Sequence, residues 1–425
     1  MNIRFLLKMY IEIYKKSVTL HNQIYSFMEI LIDTYRNRLE QTNDNFVRYL
    51  MPQINWNNRL FAIVGARGTG KTTLLLQYIK QNLDPAKTFY MSLDDLYFTT
   101  NRLVDVARQL RQEGVTHLFI DEVHKYPYET WAQELKNIYD SYPEIKVVFS
   151  GSSILNIYRG NADLSRRAIN YELFGLSFRE FLEFEEVKKI KPVTLDDLLK
   201  NHVSIASEII RDIKILPLFR KYLQSGFFPY YKEDLQNYHL RLLNTVNAVL
   251  ETDLPAVENI EFVSVQKLKR LLAVISSMVP FVPNMTNLGK LVEMQRSNLP
   301  KSLILLERAR MLGLLRSVEK KPDDLSKPQK IFLDNPNLAF ALSENNANTG
   351  NLRETFFYNQ LKVVSNVSAA VQGDFTIDNQ YVFEVGGKGK DFTQIAGIPN
   401  SFVAADNIEI GFGNKIPLWL FGFLY

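Results

Sequence analysis

The stretch Gly65-Ala66-Arg67-Gly68-Thr69-Gly70-Lys71-Thr72 matches the pattern G-x-x-x-x-G-K-[ST] in full, and Thr73 follows it. An apolar run at 60–64 leads into this stretch as a buried strand, and residues 72–79 lead out of it as a helix. Glycines let the backbone wrap around a polyphosphate so that its N–H groups point inward, at the positive end of the helix. The sequence therefore predicts a phosphate-binding loop, or P-loop, between a strand and a helix.

Two side chains of the loop have distinct expected roles at a bound nucleotide. Lys71 would reach the β- and γ-phosphates of ATP, and the Thr72 hydroxyl would ligate Mg²⁺. A glycine-rich turn can match this pattern by chance, but here strand, loop and helix are in register. ATP and Mg²⁺ are therefore the expected cofactors.

A second strand-end motif follows 50 residues after Lys71, where the apolar run 117–120 ends in Asp121 and Glu122. We expect this strand beside the P-loop strand, so that Asp121 holds Mg²⁺ through its water shell. Glu122 would polarise the attacking water as a general base. Paired acids can also be a solvated turn, but their position after a P-loop favours the catalytic interpretation. The pair indicates hydrolysis rather than nucleotide storage.

A third apolar run, 146–149, turns polar at its end and continues as Ser150-Gly151-Ser152-Ser153. In ATPases with a strand inserted between the P-loop and acidic strands, this position carries a sensor that contacts the γ-phosphate or the water. Ser152 is the first candidate, ahead of Ser150 and Ser153, and a plain strand-end turn is the alternative. Another strand is predicted at 88–95. Strand and helix thus alternate, as a parallel sheet with covering helices requires.

Composition restricts the classes of function. A length of 425 residues allows about three domains of ordinary size. The net charge of +4 predicts no strong field for polyanions. The lack of cysteine excludes disulfides, Cys-ligated zinc, iron–sulfur clusters and thiol catalysis, and it fits a reducing cytoplasm. The five histidines show no metal-binding spacing, and His124 is expected at a solvated helix start rather than at the nucleotide.

The beginning of the sequence is apolar, but Lys8 and Glu12 interrupt it and no small-residue cleavage site follows, so we do not predict a signal peptide. No run of 18 apolar residues occurs, so no membrane helix is expected. Residues 1–50 are predicted to form one or two amphipathic helices that pack on the nucleotide domain at 51–183.

Two further segments carry a family resemblance: Arg166-Arg167 and Leu176-Ser177-Phe178-Arg179-Glu180-Phe181-Leu182. Together with the P-loop, the acidic strand and the Gly-Ser-Ser strand, they follow the order found in AAA-type ATPases of bacteria and archaea that bear a C-terminal domain of unknown function. From about Arg38 to residue 425 the chain resembles that family. The resemblance implies that Arg166 or Arg167 lies near the γ-phosphate, in cis or from a neighbouring subunit of a homo-oligomer. A surface salt bridge is the alternative.

The region 184–280 is predicted to be a helical linker or lid, and its turn Gly226-Phe227-Phe228-Pro229 is common in the family. At 281–343, two helices and two strands follow in the order of a winged helix. The wing carries lysines at four positions: Lys320, Lys321, Lys327 and Lys330. Winged helices bind DNA, and they serve equally often as lids or protein contacts. Nucleic acid or protein is therefore the expected partner of this region.

The segment 344–425 places Glu354 on a helix, Asp374 at one strand and Glu384 on the next, followed by Lys388. This order resembles the PD-(D/E)xK nuclease arrangement, in which carboxylates bind Mg²⁺ and a lysine aids water attack. The nuclease lysine stands two residues after the acid, where this chain has Gly386. A nuclease-like fold that does not cleave is therefore expected.

The predicted fold is thus α/β: a P-loop NTPase of the AAA/RecA type with flanking helices, a helical and winged-helix region, and a small C-terminal α/β domain. The predicted function is an Mg²⁺-dependent ATPase that acts as a switch or machine. Two alternatives stay open, an ATP-dependent nuclease and a nucleotide-gated interaction protein with little turnover.

Overall fold

The structure is a computed structural model, and it describes residues 28–128, 130–151, 164, 166–255, 262–317, 327–343 and 349–425. Four residues singled out from the sequence, Ser152, Ser153, Lys320 and Lys321, lie outside the described residues. Residues 1–27 of the predicted N-terminal helices also lie outside them.

The first half of the chain alternates between strands and helices. In chain order the elements are α1 (residues 28–41), β1 (Leu60–Val64), α2 (Lys71–Asn82), β2 (Thr88–Ser92), α3 (Leu103–Gln112), β3 (His117–Asp121), α4 (Trp131–Ser141), β4 (Lys146–Gly151) and β5 (Ile169–Glu172). The five strands form one parallel sheet in the order β2–β3–β4–β1–β5. This confirms the predicted P-loop NTPase fold. The expectation that the acidic strand β3 lies beside β1 was wrong, because β4 is inserted between them.

The burial pattern explains why these segments became strands. Every residue of β1 and β2 is buried, and only the first residue of β3 and of β4 is partly exposed. A parallel sheet is covered by helices on both faces, so its strands are continuous apolar runs rather than alternating ones. Helix α1 adds Met28, Leu31 and Tyr35 to the same core, which agrees with the predicted packing of the N-terminal region.

The middle of the chain is mostly helical. Its elements are α5 (Phe178–Phe184), α6 (Leu195–Ile210), α7 (Ile215–Ser225), α8 (Tyr238–Ala248), α9 (Phe262–Ser276), α10 (Met285–Leu291), α11 (Leu299–Arg308), β6 (Leu312–Leu315), β7 (Lys330–Leu333) and α12 (Pro336–Leu342). Asn284 caps α10 by accepting hydrogen bonds of 3.1 Å from the N–H groups of Thr286 and Asn287. Strands β6 and β7 pair antiparallel, so the elements follow the predicted order. Their assignment as a winged helix stays a prediction.

The last part of the chain is a second α/β unit. It comprises α13 (Thr349–Leu361), β8 (Val367–Ala369), β9 (Phe375–Ile377), β10 (Tyr381–Gly386), β11 (Ser401–Ala405) and β12 (Lys415–Pro417). The strand order is β12–β11–β10–β9–β8, with β8, β9 and β10 antiparallel and β10, β11 and β12 parallel. Phe357 of α13 packs on Phe375 and Phe383 of the sheet, with ring centroids 5.1 Å apart in both pairs.

Two large hydrophobic cores account for most of the buried apolar residues among those described. One extends from Met28 to Leu173, and the other extends from Leu176 to Leu424. The apolar residues of segment 176–182 therefore belong to the second core. No helix in the described part of the chain combines the length and the apolarity that a membrane span requires.

Candidate functional site

The P-loop closes the carboxyl end of β1 and leads into α2. Gly70 precedes the helix with φ +93°, a left-handed conformation that favours glycine. Lys71 is buried, and its Nζ donates to the carbonyl oxygens of Gly65 at 3.1 Å and Ala66 at 3.0 Å. Burial lowers the pKa of Lys71, and the neighbouring Glu122 and Asp121 oppose that shift. The ammonium group thus lies across the loop where phosphates would bind.

The other predicted loop residues lie in different surroundings. A Cβ on Gly68 would come 2.5 Å from the ring of Tyr230, so only glycine fits there. The Thr69 hydroxyl donates to the Ala66 carbonyl at 2.9 Å. The Arg67 guanidinium points to a buried acid of the helical region, with Nη1 3.8 Å from Oδ2 of Asp253. Arg67 therefore contacts the C-terminal half of the chain.

Asp121 lies at the centre of the site. It is only 1% exposed, and its Oδ2 accepts hydrogen bonds from the Thr72 hydroxyl at 2.6 Å and the Tyr90 hydroxyl at 2.8 Å. Its Oδ1 accepts a hydrogen bond from the Ser150 hydroxyl. Residues of three neighbouring elements, α2, β2 and β4, thus hold the Asp121 carboxylate in place. The two predicted Mg²⁺ ligands, Thr72 and Asp121, are in direct contact.

Ser150 is the described serine of β4 that contacts the site. Besides Asp121, its Oγ accepts from the N–H of Glu122 at 3.3 Å. The preferred sensor candidate Ser152 lies outside the described residues, so its role stays a prediction. Strand pairing explains the position of Ser150, because it lies opposite Ile63 near the carboxyl end of β1.

Glu122 leaves β3 in a left-handed conformation, with φ +54°. Its Oε2 lies 3.3 Å from Nε2 of His124, and burial raises the pKa of the carboxyl. His124 is buried, so the expectation of a solvated histidine was wrong. Burial lowers the pKa of His124 to about 3, so the imidazole is neutral near pH 7 and contacts Glu122 without carrying a charge.

The donor set suits Mg²⁺. That ion prefers hard oxygen ligands, and it is usually held by one or two carboxylates together with substrate phosphates and waters. Thr72 and Asp121 supply such oxygens beside the P-loop. Among the described residues, no group of three or more His, Cys, Asp and Glu side chains is arranged to hold a metal ion. The site therefore fits an ion that arrives with a nucleotide.

A cavity of about 610 Å³ opens over the P-loop. Lys71, Thr72, Thr73 and Glu122 line its polar part, while Phe46, Phe184 and Tyr230 line another part. Ring centroids of Phe46 and Phe184 are 5.0 Å apart. The volume of this cavity is within the range of sites for small molecules and cofactors. The sequence did not single out these aromatic residues, although the Gly226–Pro229 turn directly precedes Tyr230.

Arg166 and Arg167 lie elsewhere. Both directly precede β5, whose first residue, Ile169, pairs in parallel with Phe61 near the start of β1. The arginines are therefore at the opposite edge of the sheet, roughly 10 Å or more from the P-loop at about 3.3 Å per strand residue. Arg167 pairs with Asp140 of α4, with its Nε 3.0 Å from Oδ1. The structure supports the salt-bridge alternative for Arg167 and does not bring either arginine to the P-loop of the same chain.

The three acids of the C-terminal unit lie near one another and lysines accompany them, but no group of three such side chains among the described residues is arranged to hold a metal ion. Lys330 Nζ contacts Glu354 and lies 3.3 Å from Oδ1 of Asp374. Lys390 Nζ is 2.5 Å from Oε1 of Glu384. Burial raises the pKa of both Glu354 and Glu384. Lys330, one of the four lysines of the predicted wing, is thus turned toward these carboxylates.

Lys388, the predicted partner of Glu384, has a different recorded contact. Its main-chain carbonyl accepts a 2.8 Å hydrogen bond from Nζ of Lys415. The lysine near Glu384 is instead Lys390, six residues after the acid. The spacing therefore differs from the nuclease pattern, in which the lysine stands two residues after the acid.

Comparison with known proteins places these features in context. A family model described as an AAA domain matches residues 57–182, and a model described as a domain of unknown function (DUF8612) matches residues 216–349. An uncharacterised protein of Methanocaldococcus jannaschii, MJ1637, is 28% identical over an alignment of 306 residues that covers 66% of this chain. The alignment spans 62% of the length of that relative.

Two solved structures share distant similarity. AMPPCP-bound DnaA from Aquifex aeolicus is 15% identical, with 61% of this chain and 84% of that chain covered and a TM-score of 0.26. NtrX from Brucella abortus in complex with ADP is 14% identical, with 68% and 75% covered and a TM-score of 0.29. The family match lies within the first half of the chain, and the strand order of that half is that of a P-loop NTPase fold.

Proposed function

We propose that the chain binds ATP with Mg²⁺ and hydrolyses it at the carboxyl edge of the first sheet. The observation that carries this proposal is the contact of Thr72 with Asp121, next to Lys71 and Glu122. These four side chains come from two sequence motifs and supply a phosphate-binding cation, two oxygen ligands and a base. A turn that matched the motif by chance would have no reason to acquire these partners.

Each residue has a role that follows from its present contacts. Lys71 exchanges its two carbonyl partners for phosphate oxygens, which relieves part of the cost of burying its charge. Thr72 and Asp121 would hold Mg²⁺, an ion that would supply neutralising charge at the phosphates. Glu122 orients the attacking water and accepts its proton. Ser150 donates to Asp121 and accepts from the N–H of Glu122, so it holds the two acidic residues in a fixed relative position.

The aromatic side of the cavity supports a nucleoside rather than a free polyphosphate. Phe46, Phe184 and Tyr230 form an apolar surface beside a strongly polar loop, and aromatic rings stack well on nucleobases. We assign this surface to the adenine ring. Because Phe184 and Tyr230 belong to the C-terminal half, nucleotide binding would bridge the two cores.

For the C-terminal half we propose partner binding without nucleic acid cleavage. The winged-helix order of α10, α11, β6 and β7 supports a contact module for DNA or protein. Lys330 and Lys390 neutralise Glu354, Asp374 and Glu384, and the lysine expected two residues after Glu384 is absent. An ATP-dependent nuclease is the second candidate, because Glu354, Asp374 and Glu384 lie near one another, although no group of three such side chains among the described residues is arranged to hold a metal ion.

One set of assays tests these assignments. Phosphate release from ATP is measured with Mg²⁺ and with EDTA, in the presence and absence of duplex and single-stranded DNA, while the same mixtures are run on gels for cleavage. The proposal expects Mg²⁺-dependent phosphate release and intact DNA. Binding of ATP with no release above the Glu122→Gln background would indicate a nucleotide-gated interaction protein instead. Cleaved DNA would favour the nuclease.

A further inference from the structure

We propose that Arg48 is a positioning residue that couples the P-loop to the C-terminal half of the chain. Through Arg48, docking of the segment that contains Tyr425 would set the affinity for nucleotide. The inference rests on the nucleotide binding proposed above, and it adds a regulatory input to that site.

Arg48 belongs to none of the sequence motifs, but its guanidinium donates to five acceptor atoms. Its side chain is 5% exposed, and Nη1 donates to the Thr69 carbonyl at 2.5 Å. Nε and Nη2 donate to the two carboxylate oxygens of Glu180 at 3.1 and 3.2 Å. Nη2 also donates to the carbonyls of Phe174 at 2.7 Å and Gly175 at 3.0 Å. A planar guanidinium can serve these acceptors together, whereas an ammonium cannot.

The contact with Thr69 bears directly on the phosphate loop. In a trans peptide the C=O of one residue and the N–H of the next point in opposite directions. By holding the Thr69 carbonyl, Arg48 therefore turns the Gly70 N–H away from itself. Gly70 lines the cavity and precedes α2, where backbone N–H groups would bind phosphate. Loss of Arg48 would free this peptide to rotate.

The contact with Glu180 leads toward the C-terminal half. Glu180 closes a capping box at the start of α5: its N–H donates to Ser177 Oγ at 3.1 Å, and its Oε2 accepts from the Ser177 N–H at 3.2 Å. Ser177 Oγ in turn donates to the main-chain oxygen of Tyr425 at 2.8 Å, as does Arg179 Nε at 2.8 Å. A continuous series of hydrogen bonds thus runs from Tyr425 to Thr69.

A second contact reinforces the same connection. The N–H of Tyr49, next to Arg48, donates to Oε1 of Glu180 at 2.7 Å. The ring of Tyr49 packs edge-on against the ring of Tyr425, with centroids 4.8 Å apart. Displacement of Tyr425 would therefore disturb both Arg48 and its neighbour. Because the Arg48–Glu180 pair is buried, its geometry has few alternatives.

The test compares variants by their dissociation constant for a fluorescent ATP analogue, by kcat and KM, and by thermal unfolding. In Arg48→Lys we expect the dissociation constant to rise about tenfold or more, since the ammonium keeps the charge but loses the planar set of donors. Arg59→Lys is the matched control. Arg59 Nη2 donates to the Tyr139 carbonyl at 2.8 Å, and it precedes β1 at the edge of the sheet away from the P-loop.

Coupling is tested with Arg179→Met, which removes a donor to Tyr425 without touching the P-loop. We expect this variant to weaken nucleotide binding as well. The double variant Arg48→Lys/Arg179→Met should bind about as weakly as the weaker single variant, because both changes interrupt one series of contacts. If Arg48→Lys does not fold, Glu180→Gln provides the same comparison from the other partner of the pair.

The outcomes separate the two proposals. A wild-type protein that binds no nucleotide would overturn the proposed function itself. Dissociation constants within twofold of the wild-type value in both Arg48→Lys and Glu180→Gln would reject the positioning role. A normal dissociation constant in Arg179→Met, or fully additive effects in the double variant, would reject the coupling to the C-terminal half. An equal loss of affinity in Arg59→Lys would show that the effect is general destabilisation.

Discussion

The Thr72 hydroxyl donates a 2.6 Å hydrogen bond to Asp121, which joins the first turn of α2 to the end of β3. Tyr90 donates to the same carboxylate oxygen and Ser150 donates to the other. The two oxygen ligands proposed for Mg²⁺, from Thr72 and Asp121, are therefore already in contact in the protein alone. A site organised in this way loses little conformational entropy when the nucleotide and its metal bind.

Lys71→Ala is expected to weaken ATP binding about a hundredfold or more, because the ammonium group that bonds to the Gly65 and Ala66 carbonyls would be lost. Titration with a fluorescent ATP analogue measures this. Lys80→Ala is the control, since Lys80 is on the same helix but donates to the Thr42 carbonyl at 2.6 Å. Wild-type affinity in Lys71→Ala would refute the site.

Glu122→Gln is expected to retain ATP binding while kcat falls about a hundredfold or more, the usual contribution of a general base. The amide keeps the size of the side chain but cannot accept the proton of the attacking water. Binding and phosphate release are measured on the same preparation. Hydrolysis at the wild-type rate would assign the role of base to another residue.

The pH dependence of hydrolysis should also report Glu122. Burial raises its pKa, and a base works only when deprotonated, so kcat should fall with decreasing pH through a midpoint above the ordinary glutamate value of 4.5. His124 should add no transition between pH 5 and 8, because burial holds its pKa at about 3. In a His124→Gln variant, the decrease of kcat at low pH should have the same midpoint as in the wild type. Loss of that decrease in the variant would contradict this assignment.

The parts of the site that the sequence predicted are those that local motifs encode. Glycine spacing and strand ends identified Lys71, Thr72, Asp121 and Glu122, because each motif carries its own geometry. Arg48 could not be found in this way. Its partner Glu180 is 132 residues away, and only the folded chain brings the two together.

The features that the sequence did not predict have a similar origin. His124 was expected in solvent, because a polar residue after a strand usually is, but the folded chain buries it. Lys330 was counted among the wing lysines from its neighbours in sequence, and these neighbours do not indicate its contact with Glu354 of the C-terminal unit. In both cases packing between distant segments, and not local pattern, decides the surroundings of the charge.

Lys330→Met is expected to lower the thermal stability of the C-terminal unit, because Glu354 and Asp374 would lose a shared cation. The cost should be about 1–3 kcal/mol, the usual range for a charged group left without a partner in a largely buried place. Lys327→Met, at an exposed position of the same segment, is the control. Equal unfolding temperatures for both variants would show that the Lys330 contacts contribute no net stability.

The remaining prediction concerns Arg166 and Arg167, which lie at the edge of the sheet away from their own P-loop. If either arginine stabilises the γ-phosphate, it must do so at the site of a neighbouring subunit. Turnover per chain should then rise with protein concentration, and Arg→Ala at the working position should lower kcat more than ATP affinity.

Mixing two inactive variants gives the sharper measurement. Glu122→Gln lacks the base but keeps both arginines, and the double variant Arg166→Ala/Arg167→Ala lacks the arginines but keeps the base. If the arginine acts between subunits, mixed assemblies contain complete sites, so phosphate release should recover above the sum of the separate variants. Asp140→Asn serves as a control for the ion pair, because Arg167 Nε lies 3.0 Å from Oδ1 of Asp140. Unchanged kcat in both single arginine variants and in the double variant would exclude a catalytic role for either residue, and Arg167 would then be a surface partner of α4.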